Sequence, residues 1–344
     1  MEKNRYKDLN LRLYIKRLIL LIIIGILGHA IFLFYSLDEK IFQYFYKLNF
    51  LAILAILSII FLYWVGHGFR MVIWSHYLKT PIAFRHCFRI AAITDLGAAI
   101  SPTLIGGGPI KLISLIRRGL SSGKAGFMTI LGGFEDFIMY MLALLASIIY
   151  ARDGVSNIIT SIFELMKENL TTITIFLLVF LIGRKSIQWF FPNTSIKIIP
   201  RRTRVLLRKV WMDIKKALSE MKSIAVQLIK DGKLRLIISF AILLIQWFLK
   251  FSMILIILLS FDQQIDIANI YLKQWITYLT MIFVPTPGAI GGAEGTFYLL
   301  FKNEISADLL PLIVSLWRFC TYYLFMFLAI LLLIIGYLRD DLTV

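Results

Sequence analysis

Five apolar runs constrain this chain more than any other feature: Leu18–Leu37, Phe50–Phe69, Gly126–Ala151, Leu236–Phe261 and Leu309–Tyr337. Each reaches the roughly 20 residues of helix that cross a hydrocarbon core about 30 Å thick. Backbone groups find no water at that depth, so runs of this kind cross as helices. Only 17% of the residues are charged, against about 25% in soluble domains, and a soluble enzyme is excluded. A sixth span is expected over Asn169–Phe191, where Arg184 and Lys185 snorkel to an interface. Leu18–Leu37 follows a basic N-terminus, but its run exceeds a signal-peptide core and Ser36-Leu37-Asp38 is not a small-x-small cleavage site, so it is read as a retained first helix.

Two further stretches, Ile90–Pro109 and Tyr271–Leu300, are apolar but broken. The first contains Ser101-Pro102-Thr103-Leu104-Ile105-Gly106-Gly107-Gly108-Pro109 and the second Pro285-Thr286-Pro287-Gly288-Ala289-Ile290-Gly291-Gly292-Ala293-Glu294, so four of the eight prolines fall in these two passages. Basic residues decide whether each passage crosses or turns back, because cytoplasmic loops hold the excess of Lys and Arg. If both turn back, residues 1–17, 70–89, 111–124, 184–235 and the C-terminal tail share one side and carry 29 of the 37 basic residues. Both termini are then expected in the cytoplasm, and most of the net charge of +17 records orientation.

This topology predicts an all-α polytopic membrane protein with six full transmembrane helices and two re-entrant broken-helix hairpins, arranged as an inverted-topology repeat. The chain 1–344 forms one transmembrane domain, with repeat 1 over about 18–151 and repeat 2 over about 169–337. Gly/Pro-interrupted segments at corresponding positions of inverted repeats point to a transporter with its substrate site where the broken helices meet. A helix that starts inside the membrane offers free N–H groups and a positive dipole end to an anion. Gly106, Gly107 and Gly108 precede such a start at Pro109, with Lys111 in its first turn and Arg117 further along. In the second passage Pro285, Pro287, Gly291 and Gly292 lead to Glu294, a carboxylate in the first turn of the other half-helix. An ionisable group at the bilayer centre costs at least ~2.5–3.5 kcal/mol, so Glu294 either caps its helix or meets a partner. Arg318, Glu135 and Asp136 are the candidate partners, and an ion-pair or proton role is expected among Glu135, Asp136 and Asp95. Asp95 and Lys250 stand behind them as a cap or interface residue and a pairing or snorkelling lysine.

Residues 201–235 carry apolar side chains at Leu207, Trp211, Ile214, Leu218, Met221, Ala225 and Leu228, one face of a helix otherwise rich in Lys and Arg. That pattern suits a cytoplasmic helix lying on an anionic leaflet. No aromatic platform or recognised motif accompanies it, and nucleic acid is not an expected partner. Cys87 and Cys320 lack metal-ligand spacing, as do the four histidines, and neither a metal nor a cofactor is expected.

Gly106-Gly107-Gly108-Pro109-Ile110-Lys111, Leu115-Ile116-Arg117-Arg118-Gly119-Leu120-Ser121 with Ala125, then Pro285-Thr286-Pro287-Gly288 through Glu294 and Arg318 form one ordered set. The sequence thereby resembles the lysylphosphatidylglycerol synthase transmembrane-region family over nearly its whole length. The resemblance implies a flippase-like protein of a bacterial or archaeal cytoplasmic membrane that moves an anionic, modified or polyprenyl-linked lipid between leaflets. It also implies that Lys111, Arg117, Glu294 and Arg318 match the family's functional charges. By the same resemblance many relatives would carry an Arg directly after the acid at Glu135, where this chain departs with Asp136. The soluble aminoacyl-transferase domain of the bifunctional relatives is not expected, since Val344 follows the last span by seven residues, and synthase activity is not carried over. Expected partners are membrane lipids with anionic headgroups. Two alternatives stay open: an accessory subunit that presents a lipid to a separate glycosyl- or aminoacyl-transferase, and an integral-membrane transferase. Self-association stays open as well.

Overall fold

The computed structural model describes residues 49–101, 106–150, 201–263, 266–282, 284, 286 and 288–340. The expected spans Leu18–Leu37 and Asn169–Phe191, together with Pro102 to Ile105, Pro285 and Pro287, lie outside the described residues. Among the described residues the regular structure is entirely helical. In order these are α1 (Phe50–Tyr77), α2 (Phe84–Ala99), α3 (Gly107–Arg117), α4 (Ser122–Tyr150), α5 (Arg201–Asp231), α6 (Lys233–Ser260), α7 (Ile267–Met281), α8 (Gly292–Phe301), α9 (Leu310–Arg318) and α10 (Leu324–Asp340), with a π turn at Phe319–Tyr323 joining the last two.

Four of the six expected spans are present as helices long and apolar enough to cross a bilayer: Phe50–Tyr77, Ser122–Ala143, Lys233–Ser260 and Leu310–Ile335. Helix α1 begins under an Asn49 cap, whose Oδ1 accepts from the Ala52 N–H at 2.8 Å. It continues two turns past Phe69 because apolar positions keep their helical spacing: Ile60, Trp64, Met71, Trp74 and Leu78 are all buried. Of the other three long units, α4 and the α9–α10 unit each follow a pair of short helices. At 16 and 11 residues, α2 and α3 measure about 24 and 16 Å at 1.5 Å per residue. Helices α7 and α8, with 15 and 10 residues, are shorter still. The described chain thus repeats one order, long helix, short hairpin, long helix, before and after α5.

Apolar side chains gain little by leaving lipid for a helix interface, so small residues and polar contacts decide which helices meet. A methyl group on Gly97 would stand 2.3 Å from Ile110 Cδ1, and one on Gly106 would stand 2.5 Å from the Gly97 carbonyl oxygen. Helices α2 and α3 therefore pack backbone against backbone, and the Gly106 N–H donates to Ser101 Oγ at 2.7 Å across the turn. Helix α3 begins at Gly107, two residues earlier than the expected Pro109, which sits in its first turn. Between α1 and α6, Gly66 leaves room for Gln246, which donates to the Tyr63 carbonyl at 2.8 Å. Helix α10 returns from the second half to pack on α2.

Helix α5 lies along α4. Apolar packing through Ile224 and Leu228 is joined by polar ties at the periphery: Ser121 Oγ donates to Glu220 at 2.7 Å, and the Tyr77 hydroxyl donates to Asp231 at 2.6 Å. The latter donation holds the Asp231 carboxyl below its ordinary value. Of the expected apolar stripe Leu228 is buried and Met221 and Ala225 are half-buried, while Trp211, Ile214 and Leu218 are exposed. Ile224, off that stripe, is buried.

Candidate functional site: a buried charge cluster

The first half contributes its charges from four faces. Arg70, on the continued part of α1, is 6% exposed and forms an ion pair with Glu135 of α4, itself 3% exposed. Its guanidinium also donates to Ser239 Oγ at 3.3 Å and Gln246 Oε1 at 3.4 Å, both on α6, and Trp74 adds a donation to Ser239 at 3.1 Å. The planar fork of an arginine suits three acceptors at once. Lys111 of α3 is buried, with its Nζ lying over Gly132 of α4, where a methyl group would stand 3.0 Å away. Asp95 of α2 accepts from Trp64 Nε1 at 2.8 Å, and Asp136 accepts from Trp247 Nε1 at 3.4 Å.

The second half builds on the break before α8. Gly291 has φ +85° and Gly288 φ +61°, a region open to glycine at little cost. They turn the chain so that Gly291 caps α8, and its N–H donates to Glu294 Oε2 at 2.7 Å. The other carboxylate oxygen faces Arg318 Nε at 2.8 Å. That contact is a charge pairing rather than an aligned hydrogen bond, since neither Glu294 Oε1 nor Arg318 Nε has a hydrogen-bond partner among the described residues. Arg318 also donates to the Gly288 carbonyl, and its guanidinium lies 4.2 Å from the centre of the Tyr322 ring. Tyr322 in turn donates to the Ala99 carbonyl at 3.0 Å, joining this cluster to the end of α2.

Lys250 of α6 sits between the halves. Its Nζ lies 5.2, 5.2, 4.7 and 5.7 Å from the rings of Tyr63, Trp247, Tyr278 and Phe325, a cation held by ring faces. Asp95, Lys250, Arg318, Thr321 and Tyr322 line a cavity of about 110 Å³. Asp95, Lys250 and Arg318 are the charges on that cavity; Glu294 lies behind Arg318, and with Arg70, Lys111, Glu135 and Asp136 the helices bury or half-bury four cations and four anions. The set is electrically balanced, which is how so many charges share a low-dielectric interior.

Sequence reasoning named Asp95, Lys111, Glu135, Asp136, Glu294 and Arg318; all six are buried or half-buried, Asp95 and Arg318 line one cavity, Glu294 pairs with Arg318, and Glu135 pairs with Arg70. Gly106, Gly107, Gly291 and Gly292 shape the two hairpin turns, while a methyl group at Gly108 would make only an ordinary contact with Thr129. Arg117 stands apart, exposed in the last turn of α3. Both readings of Glu294 hold together: it caps α8 and pairs with Arg318. Arg70 was counted with the cytoplasmic loop 70–89, yet it is a core residue on a helix that runs to Tyr77. The apolar spacing through Met71 and Trp74 was the signal. The aromatic enclosure of Lys250 had no local signal, because its four rings come from four helices.

A UPF0104 membrane protein of Archaeoglobus fulgidus is 22% identical over 302 residues, which is 88% of this chain and 92% of that protein. The family profile of the lysylphosphatidylglycerol synthase TM region matches residues 18–329, a stretch that contains both short-helix hairpins and all eight clustered charges. A chain with multiple apolar helices and this match is a multi-pass membrane protein, and it belongs to the lysylphosphatidylglycerol synthase TM region family.

Proposed function

We propose that this protein moves an anionic, modified or polyprenyl-linked lipid between the leaflets of a cytoplasmic membrane. The observation that carries this reading is the balanced set of eight buried or half-buried charges on apolar helices, three of which, Asp95, Lys250 and Arg318, line a small cavity. Ionisable groups there are costly and mark pathways for polar cargo. A headgroup phosphate meets Lys250 and Arg318 in the cavity, while Asp95 and Glu294 keep the site neutral when it is empty of cargo. The off-line contact between Arg318 Nε and Glu294 Oε1 leaves the guanidinium able to turn toward an incoming anion. Acyl chains stay in the bilayer.

The same reading treats the two short hairpins as re-entrant, the halves as inverted repeats within six full spans, and both termini as cytoplasmic. The apposed backbones of α2 and α3, and the Val284 side chain packed onto Gly292 at the start of α8, support irregular backbone buried within protein. Reconstitution into vesicles with a fluorescent phospholipid tests transport: the protein is expected to speed leaflet exchange, and unchanged exchange across anionic and polyprenyl lipids refutes it. A cysteine introduced at Lys302 is expected to react with a membrane-impermeant reagent from outside intact cells. Reaction from the cytoplasm alone refutes the inverted topology.

A further inference from the structure

Helices α4, α5 and α6 enclose an apolar groove of about 950 Å³, lined by side chains such as Phe134, Leu218, Ile229, Phe240 and Ala241. That volume is in the range of pockets that hold a whole small ligand, about 300–1,000 Å³. Two charged residues border it. Lys222 is exposed on basic α5 at one edge, and Glu135 lies on α4 about 20 Å along the helix from Ser122, at 1.5 Å per residue. Glu135 gives one carboxylate oxygen to Arg70, and its other oxygen, Oε1, is buried with no hydrogen-bond partner among the described residues. A charged acceptor without a donor is costly in a low dielectric.

We propose that this groove binds a membrane lipid whose headgroup carries hydrogen-bond donors: acyl chain along the apolar wall of α4, α5 and α6, headgroup donor to Glu135 Oε1 after a small turn of the carboxylate. Lys222 meets a lipid phosphate when the headgroup is still at the surface of α5. The groove is then the side entrance to the charge cluster, since Glu135 borders both. This deepens the translocation reading and rests on it for direction alone, because occupancy by lipid is measured without transport.

The test uses the full chain in phosphatidylcholine vesicles that contain traces of diazirine-tailed phosphatidylglycerol or, separately, diazirine-tailed phosphatidylcholine, which has no headgroup donor. After illumination, digestion and mass spectrometry, labels are expected on Phe134, Phe240 and Ala241, with phosphatidylglycerol about tenfold above phosphatidylcholine, as one charge-assisted hydrogen bond implies. Glu135→Gln, which turns an amide donor toward the lipid, is expected to erase that preference. Ala241→Trp, which fills the groove and touches no ion pair, is expected to cut labelling there about tenfold while leaving labels on the outward faces at Phe61 and Phe327. Labels spread evenly over groove and outer faces, and unaffected by Ala241→Trp, overturn the proposal. So does benzoylphenylalanine at Phe240 cross-linking to another segment of the chain or to a second copy instead of to lipid. Groove labelling without leaflet exchange would leave the groove assigned and refute transport, and exchange without groove labelling would do the reverse.

Discussion

Glu294 ties the start of α8 to Arg318: one carboxylate oxygen accepts from the Gly291 N–H at 2.7 Å and the other stands 2.8 Å from Arg318 Nε. Removing one partner strands the other. Arg318→Ala is expected to cost about 3–5 kcal/mol and to lower the unfolding temperature in detergent. Glu294→Gln keeps an acceptor for Gly291 and is expected to unfold nearer to the wild type. Both are expected to abolish leaflet exchange, and wild-type exchange in both would remove the pair from the pathway.

The first hairpin gives a sharper comparison, because neighbouring glycines differ in the space around them. A methyl group at Gly106 would press on the Gly97 carbonyl at 2.5 Å, whereas one at Gly108 would meet Thr129 Cγ2 at an ordinary 3.8 Å. Gly106→Ala is expected to destabilise by about 1–3 kcal/mol, the usual cost of overpacking. Gly108→Ala is expected to unfold like the wild type. Thermal unfolding followed by tryptophan fluorescence reads both.

Arginines separated by less than fifty positions are expected to differ sharply. Arg70→Lys leaves Glu135, Ser239 and Gln246 to a point charge that cannot reach all three. It should lose both stability and transport. Arg117→Ala, at an exposed position, is expected to stay within about 0.5 kcal/mol of wild type. Transport falling as far in Arg117→Ala as in Arg70→Lys would show that the end of α3 belongs to the site.

Lys250→Met separates folding from function. The substitution keeps the length of the side chain among its four rings and gives up cation–π attraction of up to about 2 kcal/mol, but it also removes the cost of desolvating a charge. Expression and unfolding temperature are therefore expected to change little, while leaflet exchange of anionic lipids falls at least about tenfold, the equivalent of one lost charge contact. Retained exchange would place the cargo elsewhere.

Much of the architecture was legible because two periodicities are written into the chain. Apolar runs at bilayer length located α1, α4, α6 and the α9–α10 unit, and paired Gly/Pro interruptions located the short hairpins. Charges on those elements were legible too, because Glu135, Glu294 and Arg318 interrupt otherwise apolar sequence. Arg70 was not, since it falls at the end of an apolar run and a charge there resembles a topological marker. The pairing of Arg70 with Glu135 also had no signal, because 65 residues separate them and the contact exists only once α1 and α4 flank α6. Tyr322, which fastens the second hairpin's partner arginine to α2, looked like one more aromatic in a span.

The π turn at Phe319–Tyr323 makes chain length, rather than side-chain identity, the constraint on the last span. Each residue of an α-helix turns the chain by about 100°, and a π turn holds one residue more than the α-helix it replaces. Deleting a single residue there would let the hydrogen-bond ladder close as ordinary helix. Every side chain from Leu324 onward would then rotate away from its present neighbours, carrying Phe325 off Lys250 while Arg318 stayed in place. Insertions and deletions tolerated near the outer ends of α10 are therefore not interchangeable with one at this joint, where a missing residue would uncouple the two halves without altering any charge.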